Sequence, residues 1–440
     1  MLRLLQTRTI RLLLALAFLL PFANRIGAQE TAPATAQKSA SAQQGYGLSG
    51  DKLQKAIAVS RIRETVHFAQ VGWDITAIIV LLSLGVFARI RNVAENLTKN
   101  TWLQCLIFIP LFSLVLTIVD LPLDIFMHTV SLRYGLSVQS WGGWLWDATK
   151  GYLIGVALFY LPAMLLKYIF RKAPQKWWLI FWAASVPAIV FLVFISPVVL
   201  APLMDKFEPL EPKAPALVDR LEQVVARSGL VIPHERMFWM KASAKTTQMN
   251  AYVTGIGASK RVVVWDTTIA KMTLDETSFV FGHEMGHYVL NHIWKGVAFT
   301  IVVLFVTLFV TKLFVDWLIA RYGAAWRIRG LSDWASLAVL TLALSVSGFF
   351  LEPGTNGFSR HIEHEADIYG LEAMHGIVKN PGEVARSSFQ KLGETSLVDP
   401  TPNAFVEFWT GNHPSISSRV AFALSYDPWK DGQRPQFFKK

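Results

Sequence analysis

The chain has 440 residues, of which 52% are hydrophobic and 17% are charged, and its mean hydropathy is +0.37. This is more apolar surface than one soluble core needs, so the composition predicts a mostly α, polytopic helical membrane protein. The net charge of +11 would suit nucleic acid, but the basic residues stand in short clusters between apolar runs. That pattern favours membrane orientation and predicts no nucleic-acid partner. The single cysteine, Cys105, excludes an intrachain disulfide.

The N-terminal end has the pattern of a targeting segment. Residues 1–28 place three arginines ahead of a short apolar stretch, which is typical of a signal peptide or an N-terminal anchor. Cleavage after Ala28 and retention as an anchor both remain open. Residues 29–65 begin with low-complexity polar sequence and are predicted to form a flexible linker.

Six further apolar segments predict membrane spans, so the total is six to seven. Residues 66–204 are interpreted as an N-terminal transmembrane domain and residues 205–440 as a zinc peptidase domain that includes the last two spans. The segments are 68–88, 102–119, 151–166, 177–204, 296–320 and 334–351.

Loop charge predicts the orientation of these spans. Three short basic loops fall on one side if the spans alternate, and the positive-inside rule makes that side the cytoplasm. Residues 205–295 and the tail from 352 then lie on the exocytoplasmic side, as expected of a bacterial inner-membrane protein. The basic residues are Arg89, Arg91 and Lys99, then Lys167, Arg171, Lys172 and Lys176, then Arg321, Arg327 and Arg329.

The region from 205 to 295 has soluble character and predicts a small α+β unit. "PALVDRLEQVVARSGL" is typical of an amphipathic helix, and "RMFWM", "NAYVTG" and "RVVVWD" predict three short strands. Thr273 and Glu276 have the spacing of a capping box, which marks the start of the next helix.

That helix contains "FGHEMGHYVLNH", in which His283 and His287 stand one turn apart. This spacing directs both imidazoles to one point and predicts a zinc ion. Glu284 projects beside them, where it can act as general base on a water at the metal without being a ligand. The pattern therefore predicts a metalloendopeptidase; a chance HExxH match is the alternative.

A catalytic zinc site needs a third protein ligand. The only dense cluster of candidates downstream is "SRHIEHEAD", residues 359–367, which offers His361, Glu363, His364 and Glu365. Spacing alone leaves all four open.

Four motifs in order resemble one family. In chain order they are "NAYVTGIGASKRVVVWDTTI", His283-Glu284-Met285-Gly286-His287, Ser359-Arg360-x-x-Glu363-x-x-Ala366-Asp367 and "HPSISSR". The chain resembles the integral-membrane zinc proteases formed by the type I CAAX prenyl proteases and their bacterial relatives, including the heat-shock membrane protease. The resemblance runs from about residue 50 to residue 425 and is nearer to the CAAX branch.

The resemblance implies a zincin-like site with one zinc ion, and Glu363 as third ligand. Asp367 would then accept a hydrogen bond from a ligand histidine. His413 would donate to the oxyanion of the tetrahedral intermediate, and Arg419 would lie near the substrate or hold His413. Asn250 and Tyr252 lie on a predicted edge strand, where Asn250 would help to anchor an extended peptide substrate.

The expected function is zinc-dependent peptide-bond hydrolysis by an enzyme embedded in the lipid bilayer. The signal-like N-terminus and the predicted orientation favour processing or degradation of membrane-associated or exported proteins over a prenylated substrate. The rivals are a heat-shock-type quality-control protease, a catalytically silent zinc-binding scaffold and a transporter or channel. The soluble His- and Glu-containing insert argues against a transporter.

Overall fold

A computed structural model describes residues 45–230, 232–430 and 432–438. The predicted signal peptide or anchor at 1–28 lies outside these residues. In chain order the helices are α1 (Gly50–Ser83), α2 (Val86–Leu97), α3 (Thr101–Arg133), α4 (Trp141–Lys172), α5 (Trp177–Met204), α6 (Pro215–Arg227), α7 (Asp266–Lys271), α8 (Leu274–Val289), α9 (His292–Tyr322), α10 (Ser336–Met374), α11 (Pro381–Ser396), α12 (Ala404–Thr410) and α13 (Ile416–Ser425).

Six of these helices are long and apolar enough to cross a membrane, counted over the described residues. They are α1, α3, α4, α5, α9 and α10, and each overlaps one of the six predicted apolar segments. Apart from α5, which coincides with its segment, these helices extend beyond their segments at one or both ends, because helical backbone continues into polar sequence that hydropathy does not detect. The most important case is α10, which runs on from the last apolar segment to Met374 and carries the whole "SRHIEHEAD" cluster.

The predicted linker at 29–65 is wrong over its last part, because α1 begins at Gly50. The first turns of α1 are amphipathic rather than apolar, and they pack on α11 and the segment after it. Lys52 pairs with Glu394 at 3.0 Å, and Nη1 of Arg63 donates to the carbonyl of Ser396 at 3.1 Å. These contacts hold residues 50–65 in a helix, where composition alone predicts a flexible linker.

The three basic loops lie together at one end of the helices. The Arg91 guanidinium binds the Asp333 carboxylate, and Arg329 pairs with Glu95 at 2.6 Å. Lys167 donates to the carbonyl of Ser332 at 2.5 Å. The loops therefore occupy a common side, as the alternation of spans predicts.

The soluble insert contains a four-stranded sheet. Its strands are β1 (Phe207–Pro209), β2 (Met237–Met240), β3 (Ala251–Thr254) and β4 (Arg261–Trp265), in the order β1-β2-β4-β3. β2 and β4 are parallel, and the other two pairs are antiparallel. β3 lies at an edge, as predicted, whereas β1 was missed because three residues are too few for a visible alternation.

The two faces of the sheet pack differently. Val262 and Val264 of β4 face the main soluble core, which includes Phe279 and Phe281 of α8. The alternate residue Val263 faces a smaller cluster with Met240, Tyr252 and Trp265, flanked by Phe207 and Phe238. The sheet thus has one face toward α8 and a second, thinly covered face.

The helix α8 starts at the predicted capping box. Glu276 N–H donates to Thr273 Oγ1 at 3.2 Å, and Thr273 N–H donates to the Glu276 carboxylate at 2.7 Å. α8 then packs closely on α10, because a Cβ at Gly286 would lie 2.9 Å from Cβ of Tyr369 and one at Gly370 would lie 3.0 Å from the backbone nitrogen of His283.

Candidate metal centre and active site

Three side chains from α8 and α10 meet in a buried group. The Nε2 atoms of His283 and His287 lie 3.2 Å apart. The Glu363 carboxylate lies 3.3 Å from Nε2 of His283 and 3.4 Å from Nε2 of His287. Within the described part of the chain, this is the one group of three such side chains whose ligand atoms all lie within 4.8 Å of one another.

The other three candidates in "SRHIEHEAD" point elsewhere. The His361 side chain is 70% exposed, and the His364 ring packs against Phe422 with centroids 4.5 Å apart. Glu365 pairs with His292 at 3.0 Å and with Lys295 at 3.2 Å. Of the four residues that spacing left open, only Glu363 faces the two histidines.

The donor set suits a divalent cation. Glu363 is buried, and its Oε2 atom lies 3.3 Å from Nε2 of both His283 and His413. Two imidazole nitrogens and one carboxylate, with a position left for water, are the ligands of a catalytic zinc ion.

Burial and the neighbouring carboxylates shift the pKa values of the two histidines in opposite directions. Burial lowers the pKa of His283, but the hydrogen bonds with Asp367 and Glu363 outweigh it and raise that pKa to about 10. Burial, against the pull of Glu363, lowers the pKa of His287 to about 3. The Asp367 and Glu363 carboxylates therefore favour a positive charge at this position.

Asp367 and Arg419 stand behind His283. Oδ1 of Asp367 lies 2.8 Å from Nδ1 of His283. Arg419 donates to both Asp367 oxygens, from Nε at 2.8 Å and from Nη2 at 2.7 Å. The sequence placed Arg419 near the substrate or behind His413; in the structure its fork is engaged by Asp367, so it supports the partner of His283.

A second pair stands behind His287, and sequence reasoning missed it. Nδ1 of His292 lies 3.1 Å from Nδ1 of His287, and Nε2 of His292 lies 3.0 Å from Glu365. His292 is fully buried. The last residue of "FGHEMGHYVLNH" could have pointed to this contact, but five-residue spacing is not a ligand pattern, and the family resemblance gives Glu365 no role.

Glu284 lies between the histidines and the sheet. Its side chain is half-buried. Burial raises the pKa of Glu284 to about 7, and the nearby His283 and a hydrogen bond from the Val253 amide act in the opposite direction. A carboxylate with a pKa near 7 can both take and return a proton at neutral pH.

His413 faces the same group from a loop. Its Nε2 lies 3.3 Å from Oε2 of Glu363, and its Nδ1 lies 2.8 Å from Oδ1 of Asn412. The loop is held by α10, because Arg360 donates to the carbonyls of Glu407 and Gly411. Arg360 is a positioning residue that spacing did not reveal.

Asn250 lies immediately before the edge strand β3 and is buried. Its N–H donates to Oγ1 of Thr268 at 2.7 Å, and its carbonyl accepts from Trp265 N–H at 3.0 Å. Because both backbone groups are engaged, only its side chain remains to meet a ligand.

Two family profiles match the chain. The profile described as peptidase family M48 matches residues 212–427, and the one described as CAAX prenyl protease N-terminal, five membrane helices, matches residues 34–206. The chain is 34% identical to the uncharacterized metalloprotease YhfN of Bacillus subtilis (strain 168), over 84% of this chain and 85% of that protein. It is 25% identical to the CAAX prenyl protease 1 homolog of Caenorhabditis elegans, over 75% of this chain and 78% of that protein.

The fold has a solved counterpart. The crystal structure of S. mikatae Ste24p superimposes with a TM-score of 0.73, covering 86% of this chain and 89% of that one at 22% sequence identity. Fold and matches together define a membrane metalloprotease.

The chain belongs to peptidase family M48, in the branch that has the CAAX prenyl protease N-terminal domain. The family resemblance and the mostly α, polytopic fold class predicted from sequence are thereby confirmed. An integral membrane location and a peptide or protein substrate follow from the family and the spans.

Proposed function

We propose that the chain is a zinc endopeptidase in which His283, His287 and Glu363 hold one zinc ion. The observation that carries this proposal is the buried Glu363 carboxylate, whose two oxygens lie 3.3 Å and 3.4 Å from the Nε2 atoms of His283 and His287. When bound there, zinc supplies Lewis acidity and lowers the pKa of water from 15.7 to about 7.

The chain's own residues then move the protons. Glu284 takes a proton from the attacking water on its carboxylate and returns it to the leaving nitrogen of the peptide. His413, whose Nε2 lies 3.3 Å from Glu363, would donate from Nε2 to the developing oxyanion in its doubly protonated form, since its Nδ1–H is engaged by Oδ1 of Asn412. Asp367 and Arg419 fix the His283 ring so that its Nε2 stays directed at the metal.

The unpaired edge of β3 supports binding of an extended peptide. A substrate strand that adds to this edge passes Glu284, since the Val253 amide of β3 lies against that carboxylate. The Asn250 side chain, just ahead of β3, is placed to anchor one end of such a peptide.

We further propose that the catalytic region faces the exocytoplasmic side of a bacterial inner membrane. The Caenorhabditis elegans relative is named as a prenyl protease. In this chain, however, the basic loops share one side, and the positive-inside rule makes that side cytoplasmic and the opposite, catalytic side exocytoplasmic. Membrane-associated or exported proteins are therefore the favoured substrates. A reporter fused to the C-terminus that is active only in the cytoplasm would overturn this orientation.

The activity is tested with purified full-length protein in detergent and a quenched fluorescent peptide, with zinc measured on every sample. Glu284→Gln should retain zinc and lose cleavage by at least about a hundredfold, since general-base catalysis contributes that much. Glu222→Gln, on the exposed face of α6, should match the wild type. Zinc-loaded wild type that cuts none of a broad peptide library would favour the silent scaffold.

A further inference from the structure

A charged cleft lies on the second face of the sheet, away from α8. It has a volume of about 460 Å³ and is lined by Pro202, Asp205, Lys206, Phe207, Glu208, Phe238 and Arg261. Arg261 starts β4 and alternates onto the same face as Val263 and Trp265. The cleft is therefore separate from the histidine group, which lies on the other side of the sheet.

Arg261 has an unusual environment for a buried cation. It is 6% exposed, and its Nε and Nη2 atoms have no hydrogen-bond partner among the described residues. The guanidinium is held by aromatic faces, with Cζ 4.3 Å from the Phe207 ring centre and 5.6 Å from that of Phe238. Stacking fixes the plane and leaves edge nitrogens for an anion such as phosphate.

Asp205 provides the opposite charge in the same cleft. It is 8% exposed, and its Oδ2 atom also has no hydrogen-bond partner among the described residues. Its Oδ1 atom accepts from Lys245 at 2.9 Å, so the carboxylate is held in place with one oxygen to spare. A buried carboxylate oxygen of this kind fits an ammonium donor.

The position of the cleft indicates the source of such a ligand. Pro202 belongs to the final turn of the membrane helix α5, and nearby Val198, Val199 and Leu203 are exposed. An apolar, lipid-facing helix end thus leads directly to a rim with Lys206 and a floor with Arg261. Acyl chains along α5 would bring a lipid head group to this level.

We propose that this cleft binds the head group of a zwitterionic phospholipid of the phosphoethanolamine type. The phosphate lies at Arg261 and the ammonium at Asp205. This places a bound lipid between the end of α5 and the sheet whose edge strand flanks Glu284. The site does not depend on zinc, so its test is independent of the peptidase proposal.

The test is lipid retention by the full-length chain, counted by native mass spectrometry. The protein is equilibrated in nonionic detergent doped with phosphatidylethanolamine or with phosphatidylglycerol. Wild type should prefer phosphatidylethanolamine, and Arg261→Gln and Asp205→Asn should each weaken its retention by about tenfold, the effect of losing one charged hydrogen bond. Arg236→Gln removes an exposed charge near Arg261 and should leave retention unchanged.

Other outcomes overturn the proposal. Equal retention by wild type and both cleft variants would show that the cleft does not bind the lipid. Equal retention of phosphatidylglycerol, with no effect of Asp205→Asn, would indicate a simple anion site. Displacement of the lipid by soluble glycerophosphoethanolamine at similar concentration would show that the free head group, not the lipid, is the ligand. If Arg261→Gln fails to fold, Asp205→Asn still decides the question.

Discussion

Nδ1 of His287 lies 3.1 Å from Nδ1 of His292. His287 thus turns one ring nitrogen toward Glu363 and the other toward a buried histidine that is itself bound to Glu365. His283 has the equivalent arrangement with Asp367 and Arg419. Each proposed ligand histidine is therefore oriented from behind by its own polar pair, as is usual for metal-binding imidazoles.

Replacing His292 should lower the affinity of the site for zinc, although His292 is not one of the proposed zinc ligands. We expect His292→Gln to lower zinc affinity or activity by about 10- to 100-fold, because His287 loses the partner that fixes its ring and tautomer. Chelator competition and peptide cleavage measure the two quantities. His361→Gln, an exposed histidine on α10, is the matched control. Equal affinity in the two variants would remove His292 from this role.

Close packing of α8 on α10 should be needed for the same geometry. A Cβ at Gly370 would lie 3.0 Å from N and 3.2 Å from Cα of His283, whereas one at Gly354 of the same helix meets nothing within 4 Å. We expect Gly370→Ala to cost about 1–3 kcal/mol of folding free energy and to lower zinc affinity. Gly354→Ala should be neutral or slightly stabilising, since alanine is the better helix former. Thermal melts of both variants measure the change in folding stability, which should be a loss in Gly370→Ala only, and zinc titrations measure the change in affinity.

Zinc binding should release a proton from His283. Burial acts to lower its pKa, but the hydrogen bonds with Asp367 and Glu363 raise it to about 10 in the zinc-free protein. At pH 8 that imidazole is protonated, while Glu284, with a pKa of about 7, is mostly ionised. A ligand histidine must be neutral, so about one proton should leave His283 per zinc bound, in addition to the proton that water at the zinc ion loses at this pH.

Calorimetry in buffers of different ionisation enthalpy measures that proton count. The same raised pKa stabilises the zinc-free fold fully below the ordinary His value of about 6.5, and this stabilisation is lost as pH rises through about 10. Asp367→Asn removes one cause of the raised pKa and should release fewer protons. A count near zero for the wild type would contradict the proposed state of His283.

Much of the fold was predictable because each membrane helix contains a long run of apolar residues that is visible in the sequence. The segment 177–204 coincides with α5, and the three predicted strands are β2, β3 and β4. What failed depends on tertiary contacts. The start of α1 at Gly50 rests on pairing of its polar face with α11, and the parallel pairing of β2 with β4 joins segments that sequence order does not connect.

The site shows the same division. His283, Glu284 and His287 follow from helical spacing, because one turn places two imidazoles on one face. Glu363 needed either the family motif or the structure, since four candidates share one stretch of α10. Arg419 and His292 are defined only by what they contact across helices, at Asp367 and His287 respectively.

The most direct test of the zinc site is metal content after Glu363→Gln and Glu365→Gln, measured beside wild type by elemental analysis on purified chains. The two glutamates lie two residues apart on α10, yet only Glu363 faces both histidines. The account predicts one zinc per chain in wild type and Glu365→Gln, with at most a modest loss of affinity in the latter, and little or none in Glu363→Gln. Full zinc occupancy in Glu363→Gln, with loss in Glu365→Gln, would contradict it.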